Sequence, residues 1–219
     1  MSCTIRPYAP EDRRAVRRVC CETGFMGDPI DPVFSDRDTF ADFFTRYYTD
    51  FEPQNCMIAE AQEGVVGYLT GCVNYRRYPW AQAWVFARAL PRIVARACRG
   101  TYRRSDYAFM QWFLTRSVHE TPNVPPRAAH FHINLLPDWR ASGVARRMIF
   151  PFVNSLKRRN VKRVYGQIQT YDDRRSTRLF ERYGFKLFDR RRLSRFERFG
   201  RDGVYVSTFV RETDVETTA

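Results

Sequence analysis

Residues 129–149 read AHFHINLLPDWRASGVARRMI, and this stretch decides the fold. It begins with strand-like alternation, which puts Phe131, Ile133 and Leu135 on one face and His130, His132 and Asn134 on the other. From Val144 the pattern is helical. Pro137, Arg140 and Gly143 lie between, so the connection is short and sharply turned. A helix start carries unpaired N–H groups and a partial positive charge, which makes a glycine-bearing turn leading into one a natural phosphate site. Gly143 lets a phosphate approach the backbone, and the small Ala145 lets the helix lie close to the strand. Ser142 can cap the helix or offer its hydroxyl, and Arg140, Arg146 and Arg147 add positive charge. The same spacing also arises wherever such a turn needs glycine for backbone reasons alone.

Working outward, CTIRPY (residues 3–8) suits a first strand, and Pro10 falls where a first helical turn tolerates it, opening a helix to about Thr23. SDRDTFADFFTRYYTDF (35–51) predicts a helix capped by Ser35, with Phe40, Phe43, Phe44 and Tyr47 on a core face. CMIAEAQ and VVGYLTGCV predict two strands joined at Glu63 and Gly64. Residues 75–126 depart from this rhythm: two helices rich in Trp, Phe and Arg end in TPNVPP. They are read as a helical insertion in a single domain spanning 1–219, too short for a core of its own, with aromatics that pack on the main sheet. After the opening stretch come a helix to about Asn160, interrupted and bent at Pro151, the strand VKRVYGQIQT, the helix DDRRSTRLFERY, and two strands paired as a hairpin. This predicts an α/β (α+β) fold with a mixed, mostly antiparallel sheet flanked by helices.

The hydrophobic content is 44% and the aromatic content 16%, ample for a core. No run approaches a membrane span, and the first residues lack the apolar centre of a secretion signal. The chain therefore reads as cytoplasmic, with no membrane partner. Cysteines 3, 20, 21, 56, 72 and 98 show neither C-x-x-C spacing nor zinc-ligand partners, so reduced, buried thiols and no metal are expected. The formal charge of +13 attracts polyanions. Nucleic acid is one candidate, but no binding motif accompanies the scattered basic clusters.

LLPDWRASGVA resembles the pyrophosphate-binding motif of the GCN5-related N-acetyltransferases, and DDRRSTRLFERYGF resembles their second signature, a helix ending in an aromatic, a basic residue and Gly-Phe. HFHINLLP, YDDRRSTRLFERYGF and the stretch FTRYYTDF to GCVN (44–74) are more closely similar to the acetyltransferase-like domain of O-GlcNAcases and its free-standing bacterial relatives. The resemblance implies acetyl-CoA as cosubstrate and an amine, small-molecule or protein, as acceptor. Carried over to this chain, it places the coenzyme on Leu135, Leu136, Arg140, Ala141, Ser142, Gly143, Val144, Ala145 and Arg146, with Asp173 and Ser176 from the second signature. Its pantetheine arm would pair with backbone near Leu135 and Leu136, whose N–H groups would also face the thioester oxygen. The insertion enters and returns beside strands that border the family's active site, so it is expected on the acceptor side.

Direct transfer needs a neutral amine, and a histidine near neutral pKa suits the base. His132 is the better placed candidate, with His130 and Asn134 on the same face. Three features depart from the family pattern. Phe180 stands where many members carry the tyrosine that protonates the leaving thiolate, which leaves Tyr171 or Tyr165 as substitutes. Asn134 replaces an aspartate, and Pro151 sits in the helix. A non-catalytic acyl-CoA-binding module is the rival reading.

Overall fold

The computed structural model describes residues 2–171 and 178–214. The elements in chain order are β1 (Thr4–Pro7), α1 (Arg13–Glu22), α2 (Arg37–Ala41), α3 (Tyr47–Phe51), β2 (Cys56–Ala61), β3 (Gly64–Cys72), α4 (Tyr78–Cys98), α5 (Arg104–Thr115), α6 (Ser117–Glu120), β4 (Ala129–Leu135), α7 (Val144–Arg158), β5 (Arg163–Tyr171), α8 (Arg178–Glu181), β6 (Lys186–Arg192) and β7 (Val204–Glu212). The strands hydrogen-bond in the order β1-β2-β3-β4-β5-β7-β6. Pairing is parallel between β4 and β5, and antiparallel in β1–β2, β2–β3, β5–β7 and β6–β7. This is the mixed, mostly antiparallel sheet with flanking helices that the sequence predicts.

The chain divides into two compact units, residues 1–107 with 132–152 and residues 108–131 with 153–219. In the first unit, α1 buries Val16, Val19 and Cys20 on one side. Arg6 on β1 grips both Asp12 and Glu60, each at 2.7 Å, and holds the Asp12 carboxyl below its usual range. Residues 42–46 form a π-type turn that joins α2 to α3. The cap of α2 differs from expectation by one residue. Asp36 accepts the Thr39 N–H at 3.1 Å, whereas Ser35 donates its hydroxyl to Asp106 at 2.8 Å. A carboxylate buried beside Arg92 (3.0 Å) and the Tyr102 hydroxyl (2.9 Å) is the stronger acceptor for that amide.

The expected helices of 75–126 are present as α4, α5 and α6. Within the first unit, Tyr78 of α4 packs against a cluster that includes Cys56 of β2 and Cys72 of β3, while the ring contacts of α4 are with the helical segment before β2. Phe86 stacks on Phe43 at 5.7 Å, Tyr78 meets Tyr47 edge-on at 4.7 Å and Trp84 meets Phe51 at 5.6 Å, so these ring partners lie in the segment 42–51.

In the second unit β5 pairs with β7 along nine positions, from Arg163↔Glu212 to Tyr171↔Val204. Phe131, Phe180, Phe185 and Phe209 form an aromatic cluster, with Phe180 stacked on Phe209 at 5.2 Å. Trp112 donates to Glu120 at 2.7 Å, and the same carboxylate accepts from the Ser194 N–H at 2.8 Å.

Pro151 does not interrupt α7, which runs through it from Val144 to Arg158. Loss of one helical hydrogen bond at a proline costs about 3 kcal/mol. Burial of Met148, Ile149, Phe152, Val153 and Leu156, each worth about 1.5–3 kcal/mol, outweighs it.

The thiols follow expectation at five positions, but Cys98 is exposed, and all six are free.

Candidate active site

The first unit contains the strand end, the turn and the helix start that the sequence singles out. Strand β4 lies against β3 closely enough that Gly67 is required: a Cβ there would overlap the Leu135 side chain and stand 2.9 Å from the Asn134 carbonyl oxygen. The Leu136 N–H donates to Val66 O at 2.9 Å. It is therefore committed to β3. Because successive strand amides face opposite edges, the N–H groups pointing away from β3 are those of Leu135 and Ile133.

After β4, a single 3-10 turn over Pro137–Trp139 leads into residues 140–143. Two residues there have left-handed backbone, Ala141 at φ 62° and Gly143 at φ 80°. A Cβ on Gly143 would meet no atom within 4 Å, so the turn is open at that point. The first helical bond of α7 runs from the Arg147 N–H to Gly143 O at 3.2 Å. The amides of Val144, Ala145 and Arg146 precede it and have no intrahelical acceptor. Together with the macrodipole they suit a phosphate.

Two side chains of the turn act on the backbone. Arg140 donates Nε to Leu135 O at 3.0 Å and Nη2 to Gly27 O at 2.5 Å, and burial lowers its pKa. It ties the turn to the end of β4 and to the loop after α1. Ser142 donates its hydroxyl to Trp139 O at 2.6 Å, closing the turn, and Trp139 in turn donates to Glu63 at 3.2 Å. Arg147 is anchored on Cys3 O at 3.0 Å. Arg146 lies over the Phe150 ring at 5.4 Å.

The three polar residues of β4 have different surroundings. His130, 5% exposed, lies in the second unit beside the Tyr165 ring at 5.2 Å, in the part of β4 that pairs with β5. That pairing ends at Phe131↔Gly166. His132 is half-buried in the first unit, its ring edge-on to Tyr48 at 5.4 Å, and burial pulls its pKa down to about 4. Asn134 donates Nδ2 to the Tyr68 hydroxyl at 2.7 Å, and burial of Tyr68 raises that phenol well above its usual pKa. Asn134 thus serves as a partner of Tyr68.

Tyr171 ends β5 by pairing with Val204, but its side chain, with Asp173 and Ser176, lies outside the described residues. Phe180 is 5% exposed and belongs to the aromatic cluster of the second unit. His119 is exposed on α6. Among the described residues, no three His, Cys, Asp or Glu side chains gather as a metal site.

Sequence reasoning missed Tyr48 and Tyr68. Tyr68 sits in a strand that is buried at every position from Val65 to Cys72, so alternation gave no mark of its face. Tyr48 follows the stripe residue Tyr47, and both are buried because this segment is covered on two sides.

No family model matches the chain, and no curated protein matches it. Solved structures do. The crystal structure of SsHAT is similar over 98% of this chain and 100% of its own, at 25% identity and a TM-score of 0.64. A GNAT superfamily phosphinothricin acetyltransferase from Sinorhizobium meliloti, solved in complex with acetyl-CoA, is similar over 100% of this chain and 94% of its own, at 16% identity and a TM-score of 0.54. The apo form of a single-site variant of agmatine N-acetyltransferase matches 97% of this chain and 100% of its own, at 13% identity and a TM-score of 0.57.

Proposed function

We propose that this chain, which has the fold of the GCN5-related N-acetyltransferases, is an N-acetyltransferase that moves the acetyl group of acetyl-CoA directly to an amine in the cytoplasm. One observation carries the reading: the open turn at Gly143, with φ 80° and no atom within 4 Å of an added Cβ, leads into the unpaired amides of α7. That arrangement fits a pyrophosphate. Val144, Ala145 and Arg146 would hold it by backbone N–H groups, with the arginine at Arg146 as counter-charge. The pantetheine amides would pair with Ile133 and Leu135, whose N–H groups point away from β3. The Leu136 N–H, donated to Val66 O, is engaged on the β3 side.

Acetyl-CoA supplies an activated thioester. The chain's own residues supply position and proton transfer. His132, whose pKa burial lowers to about 4 and which is therefore neutral near pH 7, is the candidate base. Such a base is weaker than one tuned near neutrality, so its share of the rate sits at the lower end of the usual 100- to 10,000-fold range. Within this fold, the motifs HFHINLLP and YDDRRSTRLFERYGF favour kinship with the acetyltransferase-like domain of O-GlcNAcases. Steady-state thiol release from acetyl-CoA with a panel of small amines and lysine peptides tests the assignment.

A second reading, an acetyl-CoA-binding module of little or no activity, is favoured by Phe180. Its ring is packed in the core where many members of the family carry the thiolate acid. Acetyl-CoA binding without turnover of any amine would select it.

A further inference from the structure

Between Glu63 and Asp106 the sequence contains no acidic residue, while arginines stand at 76, 77, 88, 92, 96, 99, 103 and 104. This segment alone carries +8, against +13 for the whole chain. Most of it is α4, whose Ala81, Val85 and Ala89 are buried on the side that meets Phe43 and Tyr47. Arg92 and Arg96 turn to Asp36 at 3.0 and 3.5 Å, and Arg103 to Asp106 at 3.6 Å. Arg76, Arg77, Arg88, Arg99 and Arg104 have no acidic partner among the described residues and are exposed.

The opposite side of α4 is apolar and open to solvent. Trp80 is 81% exposed, Leu90 45% and Val94 51%, and Ala83, Ala87 and Pro91 are exposed between them; Trp84, 43% exposed, stands at the edge of this side, against Phe51 and beneath Arg46 and Arg88. At 3.6 residues per turn these positions share an arc of about 120°, and Arg77, Arg88 and Arg99 stand along one border of it. Single exposed apolar side chains are ordinary, whereas a continuous stripe along a helix marks a binding face.

We propose that α4 is a peripheral membrane-binding element, laid along an anionic lipid surface with Trp80, Leu90 and Val94 at the headgroup boundary and the arginines that lack an acidic partner on lipid phosphates. Charge complementarity selects this occupant. A second copy would set the five arginines that lack an acidic partner against the same five, whereas an anionic leaflet attracts each basic side chain. Tryptophan on the apolar side and arginine beside it is the composition of helices that lie in the interface. No helix among the described residues is long and apolar enough to cross a membrane; the proposed association lies at the lipid surface and departs from the expectation of no membrane partner, which rested on the lack of a spanning run.

Co-sedimentation with vesicles of phosphatidylcholine mixed with phosphatidylserine, and of phosphatidylcholine alone, tests this. The full chain is expected to bind the mixed vesicles at low salt, with a blue shift of tryptophan emission, and to remain free of the neutral ones. Trp80→Ala is expected to weaken binding about tenfold, and Arg88→Glu with Arg99→Glu by about tenfold or more. These side chains are exposed, so unchanged thermal unfolding certifies each variant's fold. Val94→Asp serves as an independent reporter of the same face. No binding to mixed vesicles overturns the proposal. So does binding that Trp80→Ala and Val94→Asp leave intact, which would reflect the charge of the chain at large. A solution dimer that Trp80→Ala dissociates would also overturn it, by assigning the face to a second copy.

Discussion

The His132 imidazole meets the Tyr48 ring edge-on, with centroids 5.4 Å apart and planes at 72°. The same residue of α3 neighbours Tyr47, whose hydroxyl donates to the buried Glu52 carboxylate. His132 is thus braced by aromatic packing on a helical segment that a carboxylate anchors, and burial lowers its pKa to about 4.

His132→Ala is expected to lower kcat by about 100-fold while leaving the KM for acetyl-CoA unchanged. In the wild type, no ionisation of His132 should be visible near pH 6.5. The acid limb it produces belongs near pH 4. Thiol release measured against pH in both proteins checks this.

The same shift has a consequence for stability. The unfolded chain takes up the histidine proton near pH 6.5, whereas the folded chain resists it down to about 4. Between those values the unfolded state binds more protons, so stability falls as pH falls through this window. His132→Phe should flatten that part of the stability curve in urea titrations at several pH values.

Gly143 separates backbone strain from ligand binding. Gly143→Ala meets no atom within 4 Å but retains φ 80°, and should cost about 1 kcal/mol of stability. Gly143→Asp adds a negative charge at the helix start and should weaken acetyl-CoA binding well over tenfold in calorimetry.

Phe180→Tyr puts a hydroxyl into the cluster formed with Phe131, Phe185 and Phe209. The expected result is a loss of about 1–3 kcal/mol in stability and no gain in turnover. A faster enzyme would show that this hydroxyl reaches the leaving thiolate.

Glu52 accepts from the Tyr47 hydroxyl, Asn55 Nδ2 at 2.6 Å, and the Val73 and Asn74 N–H groups at 2.8 and 3.2 Å. Glu52→Gln replaces an acceptor oxygen by a donor among donors. A loss of about 2–3 kcal/mol is expected in thermal unfolding.

The strand, turn and helix of residues 129–149 were legible because two periodicities, 2 and 3.6, meet there across a proline and a glycine. The β2–β3 connection at Gly64 was legible for a similar reason, and Gly64 takes φ 108°. What stayed hidden depends on partners distant in sequence. Asp36 outranks Ser35 as a cap through Arg92 and Tyr102, more than fifty residues away. Arg140 serves the backbone because Gly27 O lies within its reach, and Pro151 is tolerated because of what α7 buries. The direction of the Leu136 amide follows from which side β3 pairs, and the residue pattern of β4 does not encode that side.

Hydrogen exchange of the full chain with and without acetyl-CoA tests the account most directly. Slowed exchange is predicted at the amides of Ile133, Leu135, Val144, Ala145 and Arg146, with no change at Leu136, whose N–H is already bonded to Val66. Unaltered exchange across residues 133–146 at saturating acetyl-CoA would contradict it.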